Sequence, residues 1–211
     1  MCWSATADLV AGAGIATIGV VCVARVRRAR DLPLAALPLL LGAHQIVESV
    51  VWRSGGGAGP ATLAWAVVAL PLPPVWVPLG VLLAAPPQAR RRLLVPVAAG
   101  CVTAAWLAYC LATRTVTAEV RGHTVGYALD VPYAPLVVVG YLLATVGSLL
   151  LGADPAVRLL GVVVACGAVL CAALWRLEFI STWCALAALA SVLMLLRVRG
   201  RRAGPAPPAP E

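Results

Sequence analysis

The chain of 211 residues is poor in charge and contains no lysine, no asparagine and only one phenylalanine. Charged residues make up 11% of it and apolar residues 62%, whereas a typical soluble domain has about 25% charged residues. A water-soluble core cannot bury so much apolar surface in a chain of this length. The composition therefore excludes an ordinary soluble domain and predicts that lipid is the solvent. The absence of lysine also excludes a retinal protein, because no side chain can form the Schiff base.

The basic residues are all arginine, 16 of them, and the formal net charge is +8. In a soluble protein this charge would suggest nucleic acid as a partner. Here the arginines fall in short segments between apolar runs, so the membrane explains them and no nucleic-acid partner is expected. The exclusive use of arginine is typical of a high-GC bacterial genome.

The seven cysteines and two histidines form no recognisable metal or haem pattern. The cysteine spacing matches no zinc or haem motif, and neither HxxxH nor HExxH occurs, so no metal and no cofactor are expected. Most cysteines lie inside apolar runs and are interpreted as small buried hydrophobes. Cys2 and Cys110 differ, because both lie near one membrane face.

Long apolar runs predict a protein that crosses the membrane several times. A spanning helix needs about 20 mostly apolar residues, and seven stretches of the chain meet this requirement. Helices are expected because lipid offers no partner for the backbone groups of an open strand. The predicted fold is an all-α, polytopic membrane bundle that forms one domain, residues 1–199. Its seven transmembrane helices are predicted at roughly 5–24, 32–52, 61–85, 93–112, 131–153, 155–175 and 179–196.

The arginines predict the orientation of this bundle. Basic residues stay on the cytoplasmic side, and twelve of the 16 arginines fall in segments that share one side with the C-terminus. We therefore expect an N-out/C-in, multi-pass protein of the plasma (cytoplasmic) membrane, with the lipid bilayer as its partner. No basic residue precedes the first span, so that span is not interpreted as a secretory signal peptide. Residues 200–211 are basic, then proline-rich, and are predicted to form a disordered cytoplasmic tail.

Two further segments have a distinct local pattern. Between helices 4 and 5, residues 115–120 and 124–127 alternate and favour strands, which predicts a small extracytoplasmic β-hairpin. In the third span, each proline removes a backbone donor and clashes with the preceding turn. This helix is therefore predicted to be kinked or broken near its middle, at Pro71, Pro73, Pro74 and Pro78.

The second span carries three polar side chains, His44, Gln45 and Glu48. The spacing of four residues places His44 and Glu48 on one helix face. Glu48 lies about 6 Å deeper than Trp52, which marks the outer interface. A carboxylate near the bilayer centre costs about 2.5–3.5 kcal/mol, so Glu48 should face the bundle and be protonated, paired or hydrated. Its candidate partners are His44, Arg53, Arg176, Ser4, Thr6 and Asp8.

Polar residues from several spans are expected in the outer half, whereas the cytoplasmic half holds almost only arginines at its boundary. Asp8 and Glu178 have a simpler interpretation as first-turn acids that the helix dipole favours, and His123 is interpreted as an exposed turn residue. Because intramembrane ionisable residues mark functional sites, we predict an outward-facing polar pocket; the alternative is a scatter of separately satisfied groups. The candidate pocket residues are Glu48, His44, Gln45, Cys2, Ser4, Ser181, Cys184 and Arg176.

Three sequence motifs resemble those of an uncharacterised bacterial family of seven-helix integral membrane proteins. They are "MCWSATA" at the N-terminus, "HQIVESVVW" in the second span and "FISTWCALAA" in the last. The resemblance implies importance for Cys2, Ser4, Gln45, Glu48, Trp52, Ser181, Trp183 and Cys184. The chain departs from the family pattern at His44, where Gln is expected, and at Ser49, where Gly is expected. These departures weaken any role that requires a histidine, such as metal ligation.

These features support more than one function. The first hypothesis is a binding or receptor-like protein whose outward pocket takes a small molecule or a lipid. The second is an intramembrane hydrolase of lipid or cell-envelope substrates, with Glu48 as general base and Cys2, Ser4 or Cys184 as nucleophile. A transporter is less favoured, because no internal repeat is visible and polar residues do not run through the full membrane depth.

Overall fold

The computed structural model describes residues 4–174 and 179–200, with side chains for residues 4–170 and 186–199. Within this part of the chain, seven helical segments and one hairpin follow one another. The first four helices, α1 (Ala5–Ala24), α2 (Ala29–Arg53), α3 (Pro60–Ala84) and α4 (Pro87–Thr113), are long and apolar enough to cross a membrane. They are followed by the strands β1 (Thr117–Arg121) and β2 (Thr124–Ala128). The last helices are α5 (Ala134–Leu150), α6 (Pro155–Leu174) and α7 (Phe179–Gly200).

The helix starts follow from local sequence. Ser4 is the N-cap of α1, and its hydroxyl accepts a hydrogen bond from the Ala7 amide at 3.2 Å. Proline occupies the first turn of four later helices, where the missing amide hydrogen costs nothing; these prolines are Pro60, Pro87, Pro135 and Pro155. Because its first turn begins at Pro87, α4 starts six residues before the span predicted at Leu93.

The predicted break in α3 is confirmed. The helix ends at Ala69 and resumes at Leu72. Pro73 has no amide hydrogen, so the usual helical donor for the Ala69 carbonyl is missing. The Tyr141 hydroxyl of α5 donates to this carbonyl at 2.9 Å instead. A side chain 72 positions away therefore satisfies the backbone group that the break releases.

Helices α1 and α2 pack closely because glycines lie between them. A Cβ atom built on Gly12 would lie 2.9 Å from the Gln45 Cβ, and one built on Gly42 would lie 2.6 Å from the Ala16 amide nitrogen. Both distances are shorter than real Cβ contacts, so only glycine permits this approach. The pairs 12–45 and 16–42 also show that the two helices run antiparallel.

The predicted β-hairpin is confirmed as a two-stranded antiparallel sheet in which Arg121 pairs with Thr124. Its tight turn contains Gly122 at a φ of +58°, a conformation that glycine adopts readily. The loop between α2 and α3 joins the hairpin, because Gly57 and Ala118 exchange two backbone hydrogen bonds. Val125 of the hairpin and Trp65 of α3 belong to one buried hydrophobic cluster, so the hairpin covers one end of the helices. We call this end the hairpin end.

Each helix packs against the next one along the chain, and α7 also contacts α1 and α2. Large apolar side chains are nevertheless left exposed on several helices, for example Val10, Val102 and Leu136 at 67%, 72% and 71%. Such faces are suited to lipid contact. Cys22 is buried as the sequence predicted, but Cys101 and Cys166 are exposed. Cys110, which the sequence set apart from the buried cysteines, is buried as well.

Candidate functional site

A layer of polar side chains lies buried in the contact between α1 and α2. We call it the polar layer, and it consists of Asp8, Gln45, Glu48 and Ser49. Their exposed fractions are between 0% and 2%. Gly12 of α1 faces Gln45 of α2, and the two helices run antiparallel. One turn before Gly12 on α1 is Asp8, and one turn after Gln45 on α2 are Glu48 and Ser49. Asp8 therefore lies at the same depth as Glu48 and Ser49. The close glycine contact thus brings two carboxylates to the same depth.

The two buried carboxylates, Asp8 and Glu48, require interaction partners, because an isolated carboxylate in apolar surroundings is strongly disfavoured. Asp8, Gln45 and Glu48 each have an interaction partner. Ser49 is satisfied locally, since its hydroxyl donates to the Ile46 carbonyl at 2.7 Å. The layer is therefore an integral part of the helix contact. Asp8, expected to be a first-turn acid, does lie in that turn, but Ser4 forms the cap and Asp8 is fully buried.

An aromatic stack connects the second helix to the hairpin. The His44 ring lies 5.1 Å from the Trp65 ring, and the Trp65 ring stacks on Tyr127 at 3.4 Å with an interplanar angle of 2°. Among the described residues, the buried Nε1 atoms of Trp52 and Trp65 have no hydrogen-bond partner. An indole N–H normally finds an acceptor when it is buried. Two donors at the hairpin end are therefore available to an acceptor that is not part of the described chain.

The structure brings only some of the predicted pocket residues together. Gln45 and Glu48 share the polar layer, and the half-buried His44 joins the aromatic stack instead. Ser4 is exposed and caps α1. Cys2 and Arg176 lie outside the described residues, as do the side chains of Ser181 and Cys184.

Sequence reasoning missed Trp65 and Tyr127 as members of an aromatic stack, although it placed Tyr127 in the hairpin. The local sequence predicts only a strand at Tyr127 and only an apolar span at Trp65. Their stacking depends on how the hairpin folds back over α3, which no local pattern encodes. The sequence did contain one signal, because Tyr127 lies in a strand that was predicted to cap the helices. A tyrosine ring in such a strand can pack against the ends of those helices.

The opposite end of the protein, which we call the basic end, holds more than the arginines that the sequence suggested. Arg197 of α7 donates from Nε to Asp154 Oδ2 at 2.7 Å and forms an ion pair from Nη2 to Asp31 Oδ1 at 3.6 Å. Asp154 also caps α6, because its Oδ1 accepts from the Ala156 amide at 3.0 Å. Three distant segments are thereby joined around one buried guanidinium.

Two cavities flank this ion cluster. One, of about 370 Å³, is mostly apolar and lies between the ends of α3 and α6, beside Leu34 and Val81. The other, of about 290 Å³, is lined by arginines of the segment after α1. Arg197 borders both cavities. Among the described residues, no three His, Cys, Asp or Glu side chains come together as metal ligands would.

Comparison with known proteins assigns a family. The sequence profile described as "Family of unknown function (DUF6629)" matches residues 1–209 of the chain. The chain therefore belongs to this family, and the expected membership of an uncharacterised family is confirmed. Its bacterial origin and the N-terminal motif stay predictions. No curated protein and no solved structure matches the chain.

Proposed function

We propose that this member of a family of unknown function is a multi-pass protein of the plasma membrane that binds a small molecule or a lipid beside Glu48. The proposed arrangement is a bundle of seven transmembrane helices with its N-terminus outside and its C-terminus inside. In this orientation the hairpin end faces outward. The proposed role is one of binding or reception.

The observation that carries the proposal is the complete burial of Glu48 and Asp8 at one depth of the α1–α2 contact. Buried ionisable groups in membrane helices are costly and are retained mainly where they serve a function. A purely structural contact between these helices would need only the glycines and small residues that are already present. The carboxylates therefore indicate recognition.

The aromatic stack supports the same location. His44, Trp65 and Tyr127 extend from the polar layer to the hairpin, and the neighbouring indole donors can orient a polar group. Ligand sites in proteins combine mostly apolar walls with a few fixed polar groups. The hairpin end has both components within one small region.

The test is to identify what copurifies with the protein. Wild type, Glu48→Gln and Glu119→Gln are purified from native membranes in mild detergent and analysed by native mass spectrometry. Both substitutions remove one carboxylate at nearly constant volume, but Glu119 lies exposed on the hairpin. We expect a bound small molecule or lipid in wild type and Glu119→Gln and its loss from Glu48→Gln. Melting temperatures establish that all three proteins are folded.

Identical bound species in all three folded proteins would contradict the proposal. The alternative, an intramembrane hydrolase, needs a nucleophile within hydrogen-bond reach of Glu48. The described serine nearest in sequence, Ser49, has its hydroxyl bonded to a backbone carbonyl, and Ser4 is exposed at the helix cap. The other predicted nucleophiles, Cys2 and Cys184, have side chains outside the described residues, so we propose binding on the basis of the buried carboxylates.

A further inference from the structure

We infer that the arginine-lined cavity at the basic end binds a phosphate group. This cavity lies between the segment that follows α1 and the last turns of α7, and its volume is about 290 Å³. A water molecule occupies about 30 Å³ in the liquid, so the cavity has room for a phosphate group together with part of its hydration shell. It is separate from the polar layer, which lies at the hairpin end.

The charge of the lining points to an anion. Four arginines and a single aspartate line the cavity; they are Arg25, Arg27, Arg28, Arg197 and Asp31. Guanidinium groups that converge on a concave surface repel one another, and an anion bound among them removes this repulsion. Arginine also suits phosphate in particular, because its planar fork of donors matches two phosphate oxygens and its charge is permanent.

Arg197 supplies a second, independent observation. Its side chain is only 3% exposed, yet among the described residues its Nη2 atom has no hydrogen-bond partner. The Nε atom is held by Asp154, and Nη2 lies 3.6 Å from Asp31, which borders the arginine-lined cavity. A buried guanidinium nitrogen without a hydrogen bond is costly. A phosphate oxygen in the cavity would accept this bond.

The two aspartates explain why Arg197 is already in position. Asp154 fixes the guanidinium through a bond of 2.7 Å, and Asp31 lies three residues after Arg28 of the cavity wall. The side chain that must be buried is therefore ordered before the ligand arrives. Arg27 and Arg28 are exposed and can close on the ligand.

The phosphate has two chemical sources, the headgroup of an anionic lipid and a soluble phosphate. The experiment uses full-length protein as wild type, as Arg27→Gln/Arg28→Gln and as Arg91→Gln/Arg92→Gln. The second pair provides the matched control, because it removes the same charge from exposed arginines near the start of α4 that do not line the cavity. Arg197 is left unchanged, since its loss would break two ion pairs.

Inorganic phosphate is titrated calorimetrically into the protein in neutral detergent. In a second arm, nanodiscs of phosphatidylcholine with or without phosphatidylglycerol are analysed by native mass spectrometry for retained lipid. We expect the cavity variant to bind phosphate or retain phosphatidylglycerol about tenfold more weakly than wild type, with the control variant unchanged. Binding in the first arm identifies a soluble phosphate, and binding only in the second identifies the lipid headgroup.

Equal losses in the cavity and control variants would overturn the inference, because they would show attraction to the general surface charge. Absence of binding by wild type in both arms, or binding unaffected by Arg27→Gln/Arg28→Gln, would also overturn it. The substituted side chains are exposed, so both variants are expected to fold. A melting temperature without ligand that equals that of wild type verifies this.

Discussion

Replacing Tyr141 by phenylalanine tests how the broken helix α3 is stabilised. The substitution removes one oxygen atom and keeps the ring. The Tyr141 hydroxyl donates to the Ala69 carbonyl at 2.9 Å, and Pro73 cannot replace it because proline has no amide hydrogen. The variant should therefore leave a carbonyl without a donor between packed helices.

Two ranges bear on the magnitude. Hydrogen bonds between membrane helices contribute about 0.6 kcal/mol on average and about 1.7 at most. Leaving a buried acceptor unsatisfied costs about 1–3 kcal/mol. The average value for membrane hydrogen bonds applies where the group that loses its partner finds another one. The Ala69 carbonyl has no helical donor to return to, so the cost of an unsatisfied acceptor is the better guide. We therefore expect a loss of about 1–2 kcal/mol, which corresponds to a melting temperature lower by about 2–8 °C for a chain of this size.

The assay follows thermal unfolding in detergent with a thiol-reactive dye. Cys22 and Cys110 are fully buried and become reactive when the helices separate. Tyr109→Phe is the matched control, because it removes the same atom from a side chain that is 54% exposed. If Tyr141→Phe melts at the same temperature as Tyr109→Phe, the hydroxyl does not stabilise the break and the reasoning is refuted.

Three other predictions concern packing, charge and orientation. Gly42→Ala should lower the melting temperature, because the new Cβ would lie 2.6 Å from a backbone nitrogen of α1. Gly14→Ala is the control and should be neutral or stabilising, because its new Cβ would have no atom within 4 Å. Equal effects of the two substitutions on the melting temperature would contradict the close helix contact. The pKa of Glu119 is lowered, first by its hydrogen bond with Arg121 and then by the charge of that residue, so Arg121→Gln should raise this pKa in an NMR titration. The pair adds stability above the pKa of the unfolded carboxyl and loses it as pH falls through the lower folded pKa; an unchanged titration would rule out the pair. Reporter fusions at the two termini should appear on opposite sides of the membrane, and reporters on the same side would contradict the proposed orientation.

Local features of the fold were predictable because their causes lie within a few residues. The break in α3 follows from prolines that delete backbone donors, and the hairpin follows from alternation around Gly122. Apolar length predicted seven spanning helices, and four of the described helices are long and apolar enough to cross a membrane. Helix starts were predicted less accurately. The fourth span was predicted from Leu93, but the helix begins at Pro87, because a first-turn proline and a run of charged residues extend it beyond its apolar part.

The candidate site was predictable only in part. The spacing of His44, Gln45 and Glu48 correctly indicated polar groups within an apolar helix, but it did not indicate that His44 turns toward Trp65. The sequence around Asp8 predicts only a helix-end acid, because first-turn acids commonly have that role. Its burial depends on the glycine contact that brings α2 against α1, and that contact is not visible in the sequence around Asp8.

By itself, the sequence indicated helices apolar enough for lipid and determined the local backbone, which has an interrupted third helix and a small hairpin. Only the tertiary structure decided which polar groups meet. Arg197 reaches Asp154 across 43 positions and Tyr141 reaches the Ala69 carbonyl across 72. The reason is that a backbone preference arises from neighbours in the chain, whereas a buried polar group must find a partner wherever packing brings one within hydrogen-bond distance.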